Sequence, residues 1–421
     1  MNIDSVWARE VLDSRGNPTV EAEIRIGGHK FTAIAPSGAS TGTFEALELR
    51  DGGLRYGGKG VQKAVENIRR EIDKALRGMD PCDQQAIDRA MIDLDGTENK
   101  SRLGGNAITA VSLAAAKAGA MVQGIPVYEH IGQDGVTLPV PMFNIINGGK
   151  HAGGKLAIQE FMVIPAGAPS FTECLRMSAE IYMSLKSLLK KKHGASAINI
   201  GDEGGFAPAL DTSAEAMEVI IEAVEEAGYA MGKEVGLALD AASSEFYHDG
   251  RYHLDNKSLD EGELIDHYAA LVSSYPLLSI EDPFQEEAFE ATAEMTRRLG
   301  SRLQIVGDDI FVTNTKRLSR GIETGAANAL LLKVNQIGTV TESQEAAQMS
   351  FVAGYNVVVS HRSGESEDSS IADLAVGWGS GQIKTGAPAR GERTAKYNRL
   401  LRIEEELGSK ARFPGFQPFR R

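Results

Sequence analysis

"ANALLLKVNQIG", residues Ala327 to Gly338, is the stretch on which the fold turns. Ala329, Leu330, Leu331 and Leu332 are all apolar, and Val334 continues the run past Lys333. This reads as a strand with both faces buried. A lysine there is costly, because desolvation disfavours an ammonium. Five further runs have the same character: "VGLALD" from Val235, "LLSIED" from Leu277, "LQIVGDD" from Leu303, "NVVVSH" from Asn356 and "GQIKTG" from Gly381. Helical segments such as "DEGELIDHYAALVSSYP" and "VTESQEAAQMSFVAGY" lie between them. Repeated βα units imply a parallel sheet, and this many in one domain predict an α/β fold closed into a TIM-like βα barrel. A doubly wound sheet is the competing fold, but no G-x-G-x-x-G follows a strand to support it.

Each of the six runs ends in or beside a polar group: Asp240, Glu281, Asp308, Lys333, His361 and Lys384. The C-terminal strand ends of such a barrel form its active-site mouth, so these six are expected around one cavity. Singly, each is better read as a cap or a solvated end, and Lys333 as a snorkelling side chain. Three carboxylates followed by two lysines is not what that reading predicts. Three carboxylates with no cysteine nearby suit a hard divalent cation, with Mg²⁺ the expected ion and Asp240, Glu281 and Asp308 its ligands. Ion pairing of the carboxylates to the two lysines without metal is the lesser alternative. Asp309 ranks second, because adjacent residues of a strand point to opposite faces.

The N-terminal part differs. Val20, Ala22, Ile24 and Ile26 alternate with Glu21, Glu23 and Arg25, as in a half-buried antiparallel strand. Val61, Val65, Ile68, Ile72 and Leu76 recur at helical spacing up to Gly78. Strands followed by helices predict a small α+β domain. Gly, Pro and Asn gather in "IGQDGVTLPVPMFNIINGGKHAGGK", which puts the boundary near Gln133, with domains at 1–133 and 134–421.

Hydrophobic residues make up 42% and charged residues 24% of the 421, an ordinary globular composition. The net charge of −14 argues against nucleic-acid binding. Two distant cysteines, Cys82 and Cys174, read as reduced thiols. The N-terminus lacks a signal-peptide pattern, and the Ala-rich segment from Ala107 is too short to span a bilayer, so a cytoplasmic protein without membrane partners is expected.

Two loops read as site loops. "NIGDEGGFAP" sets Glu203 beside Gly204 and Gly205, and "SHRSGESEDSS" offers His361, Arg362 and hydroxyls suited to phosphate or carboxylate. "PSGASTG", Pro36 to Gly42, is small enough to close over a barrel mouth, though such a loop is more often a plain turn.

Taken together, "DSRGNPTVE", "APSGASTG", "FNIINGG", "IQEFM", "GDEGGFAP", "SIEDPF", "VGDDIFVTN", "LLLKVNQIGT", "SHRSGESED", "GQIKTGAPAR" and "KYNRLLRIEEELG" resemble the enolase family from end to end. The departures, such as Ala389, Gly391 and the final "GFQPFRR", touch no residue assigned to chemistry. The resemblance implies reversible dehydration of 2-phosphoglycerate to phosphoenolpyruvate, a barrel beginning ββαα, two Mg²⁺ ions, and a homodimer or homo-octamer. It implies that Asp240, Glu281 and Asp308 hold the first ion and that Ser40 contributes to the second. By the same resemblance Lys333 is the base, Glu203 the acid, Lys384 a carboxylate ligand, and Arg362 with Ser363 the phosphate grip. His151, Gln159, Glu160 and His361 line the rest of the pocket. A lysine base with Mg²⁺ stabilising an ene-diolate is already known for this superfamily.

The base must be neutral to act, so the pKa of Lys333 is expected to fall through burial and nearby cations. Glu203 must stay protonated, with Glu160 beside it as the expected cause. Two rivals remain at this point. One is another acid-abstracting metalloenzyme of the superfamily. The other is a binding protein that kept the fold and lost catalysis.

Overall fold

The computed structural model describes residues 1–38, 44–132, 135–149 and 155–420. Ser40 and His151, and the boundary residues Gln133 and Asp134, lie outside them.

Three antiparallel strands open the chain: β1 (Ser5–Leu12), β2 (Pro18–Ile26) and β3 (His29–Ile34), in that spatial order. The expected alternation holds on β2, whose apolar residues are all buried. Glu23 is buried as well, because Arg9 and Arg25 reach it at 2.5 and 2.6 Å. The helix Gly105–Gln123 packs on β2 and β3. Its run of alanines and glycines lets it lie close to the sheet with nearly every residue buried, as a core helix must. The periodic segment after Val61 is helical from Gln62 to Leu76, with a π-helical turn over Ile68–Ile72.

The barrel begins with β4 (Val140–Asn147) and β5 (Glu160–Ile164), followed by the helices Phe171–His193 and Ser213–Glu226 and then β6 (Gly236–Asp240). A small sheet of β7 (Tyr247–His248), β8 (Arg251–Leu254) and β9 (Lys257–Leu259) intervenes. Strand and helix then alternate through β10 (Leu277–Glu281), β11 (Gln304–Gly307), β12 (Ala329–Leu332), β13 (Asn356–Ser360) and β14 (Gly381–Lys384). Eight strands close the barrel in the order β4-β5-β6-β10-β11-β12-β13-β14. β5 runs antiparallel to both neighbours, and the other pairings are parallel. This is the ββαα start followed by βα repeats that the resemblance implied.

All six apolar runs read from the sequence are barrel strands. β4 lies within the stretch read as the boundary, because Pro141 with the flanking glycines gives "LPVPMFNIINGG" the composition of a linker; β5 is a strand that no apolar run singled out. Cys82 and Cys174 are free thiols. Among the described residues no helix is long and apolar enough to cross a membrane.

Candidate active site

Strand register builds the acidic wall of the site. Glu160 on β5 pairs with Asp240 on β6, and Asp240 pairs with Glu281 on β10, so three carboxylates stand side by side at three strand ends. Lys384, at the end of β14, reaches all three: its Nζ lies 2.7 Å from Asp240 Oδ2, 2.9 Å from Glu281 Oε2 and 3.3 Å from Glu160 Oε2. Lys333 leaves the end of β12 and pairs with Asp308. The ammonium expected to be costly therefore has an anionic partner, and so does its neighbour Lys384. Lys333 keeps 15% of its side chain exposed against 3% for Lys384, so Lys333 is the one open to a ligand.

Asp240, Asp308, Lys333, His361 and Lys384 line one cavity together with Gln159, Glu160, Glu203, Arg362 and Ser363. Glu281 joins the cluster through Lys384. Asp309 lines the same cavity, which corrects its placement on an opposite face: β11 ends at Gly307, so strand alternation no longer applies to Asp308 and Asp309. Asp282 holds that turn by accepting the backbone N–H of Asp308 at 2.9 Å and of Asp309 at 2.8 Å. Asp282, Asp308 and Asp309 lie close enough to suggest a cation site, but Asp282 already uses both oxygens.

The donor set fits a hard divalent cation. Asp240, Glu281 and Asp308 offer only carboxylate oxygens, and Glu281 Oε1 is buried with no hydrogen-bond partner among the described residues.

Glu203 sits on the loop between Asn199 and Ala207. Asn144 of β4 donates to Glu203 Oε2 at 3.1 Å, and His361 Nε2 lies 3.2 Å from the same oxygen. Tyr182 stacks on Phe206 at 4.4 Å and donates to the Gly204 carbonyl at 2.7 Å, fixing the loop. A Cβ on Gly205 would come within 2.5 Å of Asn147 Oδ1, so only glycine lets this backbone approach β4.

The loop after β13 carries His361, Arg362 and Ser363. Arg362 Nη1 donates to Glu45 Oε2 at 2.9 Å and to Asn335 Oδ1 at 3.0 Å. Arg15 reaches Ser363 Oγ at 3.3 Å, and Ser37 and Gly364 exchange backbone hydrogen bonds at 2.8 and 2.9 Å. The N-terminal domain thus contributes Glu45, Arg15 and Ser37 to this rim.

Charge follows from these neighbours. Burial opposes the ammonium of Lys384, but Asp240, Glu160 and Glu281 more than offset it and hold the group well above the usual lysine range. Burial also opposes the ammonium of Lys333, yet Asp308 holds it above its ordinary value. The strand supplies the burial, and the carboxylate beside it outweighs that burial. Burial, then the neighbouring Glu203, push the Glu160 carboxyl well above its ordinary range. Burial pushes His361 down to about 4, leaving it neutral.

The sequence reading missed Glu45, Asn144, Gln336, Arg393 and Lys396. Gln336 donates to Asp308 Oδ1 at 2.9 Å. Arg393, Lys396 and Tyr397 share one buried helical face with Leu400 and Ile403, so cations at core positions of that helix were the available signal.

Comparison with known proteins gives the same outline. The family model for the enolase N-terminal domain matches residues 3–131, and that for the enolase C-terminal TIM barrel domain matches residues 135–421. The chain is similar to the curated enolase of Thermococcus gammatolerans, 59% identical over 416 residues, covering 98% of this chain and 97% of that one. It is 60% identical over 408 residues to the enolase of Methanocaldococcus jannaschii, covering 96% of each. It is 57% identical over 416 residues to that of Pyrococcus furiosus, covering 98% and 97%.

Proposed function

The chain belongs to the enolase family and is a phosphopyruvate hydratase, a lyase of glycolysis; we propose that Lys333 and Glu203 divide its chemistry between them as base and acid. The observation that carries this is the arrangement of one cavity: Lys333 is the more accessible of its two lysines, and Glu160, Glu203 and His361 gather in the same pocket. The substrate is 2-phospho-D-glycerate or phosphoenolpyruvate, with the phosphate at Arg362 and Ser363 and the carboxylate towards Lys384. We assign Ser40 and His151 to the same pocket from the family pattern.

Lys333 takes the C2 proton. Assigning Asp308 to a cation removes the carboxylate that holds Lys333 charged, leaving burial, Arg362 and Lys384 to favour the neutral amine. Glu203 then donates a proton to the departing C3 hydroxyl, and Glu160 and His361 set its protonation. Asp240, Glu281 and Asp308 would hold Mg²⁺, with Ser40 contributing to a second ion. Such ions supply Lewis-acid stabilisation of the charge that accumulates on the substrate carboxylate. We place the domain boundary at Gln133 and the protein in the cytoplasm as a homodimer or homo-octamer.

A coupled assay for phosphoenolpyruvate, run beside exchange of the C2 proton with deuterated water, tests the division of labour. Lys333→Ala abolishes both. Glu203→Gln loses dehydration and keeps exchange, because abstraction precedes departure. Equal loss of exchange in both variants would overturn the assignment. Exhaustive chelation stops turnover and Mg²⁺ restores it; full activity after chelation rules out the metal role.

A further inference from the structure

Arg393 is fully buried on the helix Gly391–Leu407 and touches two loops that carry the chemistry. Its Nη1 meets His361 Nδ1 at 2.6 Å and donates to the Arg362 carbonyl at 2.7 Å. Its Nη2 donates to the Ser363 carbonyl at 2.6 Å and to the Asp202 carbonyl at 3.0 Å. Asp202 precedes Glu203, so one guanidinium ties the loop of the acid to the loop of the phosphate grip. A guanidinium has only donors, so His361 Nδ1 must accept. The proton of the neutral imidazole is then on Nε2, which faces Glu203 Oε2 at 3.2 Å.

We propose that Arg393 is a positioning residue for the acid step, holding His361 as the Nε2–H tautomer against Glu203 and locking the Glu203 loop to the His361–Ser363 loop. The inference rests on Glu203 being the acid. The base lies elsewhere: Lys333 is anchored by Asp308 and by its own backbone N–H to Thr313 Oγ1 at 3.0 Å, and among the described residues it shares no hydrogen bond or ion pair with Arg393. Loss of Arg393 should therefore damage elimination and spare proton abstraction, whereas general loosening of the fold would damage both.

The experiment compares wild type, Glu203→Gln, Arg393→Lys and Arg393→Met in two assays, phosphoenolpyruvate formation and C2 exchange of 2-phosphoglycerate. Arg393→Lys keeps the charge and loses the fork, so at saturating 2-phosphoglycerate dehydration should fall about tenfold or more, part of the roughly 10²–10⁴-fold that an acid contributes, while exchange stays within about threefold; weaker hold on the phosphate then shows only in KM. Arg393→Met should show the same split, more strongly. Parallel loss of the two rates in Arg393→Lys, with Glu203→Gln retaining exchange, overturns the inference and leaves the acid assignment standing. Loss of exchange in Glu203→Gln overturns both. If neither Arg393 variant folds, the ¹⁵N shifts of His361 in the wild-type protein decide: a protonated Nε2 supports the proposal, and a protonated Nδ1 overturns it.

Discussion

Lys384 shows how much one side chain can hold together. It is almost entirely buried, and its ammonium lies within 3.3 Å of three carboxylates on three consecutive barrel strands. Replacing it by methionine keeps most of the volume and leaves that anionic row without its cation. Removing one partner of a buried ion pair costs about 3–5 kcal/mol, because the remaining charge stays desolvated. Lys384→Met should therefore melt well below wild type in chelator. Its melting temperature should also rise more with added Mg²⁺ than the wild-type temperature does, since the freed carboxylates then have only the cation to offset them. Thermal scans of both proteins, with chelator and with Mg²⁺, check this. A Lys384→Met protein whose melting temperature ignores Mg²⁺ would remove Asp240 and Glu281 from the ligand set. Lys333 teaches the complementary lesson. Its position on a buried run was visible in the sequence, but its pairing with Asp308 required knowing that β11 and β12 are neighbours.

At the scale of elements, the turn after β12 is the most constrained. Gly338 has φ +110, and a Cβ there would come within 2.6 Å of Lys100 Cδ, whose ammonium is held by Glu342 at 2.9 Å. Lys100 is itself in the left-handed region at φ +58. Gly338→Ala should destabilise the protein by more than about 1 kcal/mol. It should also lower kcat, because the same turn carries Lys333 and Gln336. A melting temperature and kcat equal to wild type would show the turn to be less constrained than this. The six strands with one-sided polar ends were legible because apolar runs and their terminal charges sit together in sequence. β4 and β5 were not: Pro141 gave β4 the look of a linker, and the antiparallel β5 begins with its charge, Glu160, instead of ending in one. Arg393 and Lys396 were not either. A cation on a helix ordinarily reads as surface, and their partners, the carbonyls of Arg362, Ser363 and Ser366, lie about thirty residues upstream. The glycine-rich loop pointed to Glu203 and family resemblance gave its role, but nothing in the local pattern singled out its partner Asn144.

Across the whole molecule, the N-terminal domain acts as an external brace for the barrel helix that follows the Lys333 turn. Thr109 Oγ1 donates to the Gly338 carbonyl at 3.1 Å, and the Val340 N–H donates to Ser112 Oγ at 2.9 Å. Asp88 Oδ2 accepts both the N–H and the hydroxyl of Thr341, at 3.0 and 2.7 Å. Asp88 thus caps the first turn of the helix Val340–Val352 from the other domain. A helix N-terminus favours a carboxylate there, but burial outweighs it, and the carboxyl is held above its ordinary value. Arg89, Glu342 and Glu345 line the cleft beside it. For an acid, a raised folded value means that the native state binds the proton more tightly than the unfolded chain does. The contribution is then fully present below the unfolded carboxylate range and is lost as pH rises through the folded value. Asp88→Asn keeps an acceptor for Thr341, gives up the one that Oδ1 offers Gln84 Nε2 at 3.1 Å, and never ionises. Its melting temperature relative to wild type should therefore be higher at pH 8 than below about pH 4, by roughly 1–3 °C. Calorimetric scans of the two proteins across that range make the comparison. A relative melting temperature that is constant with pH, or that rises towards acid, would mean that Asp88 caps the helix as a carboxylate and that the capping charge outweighs its burial.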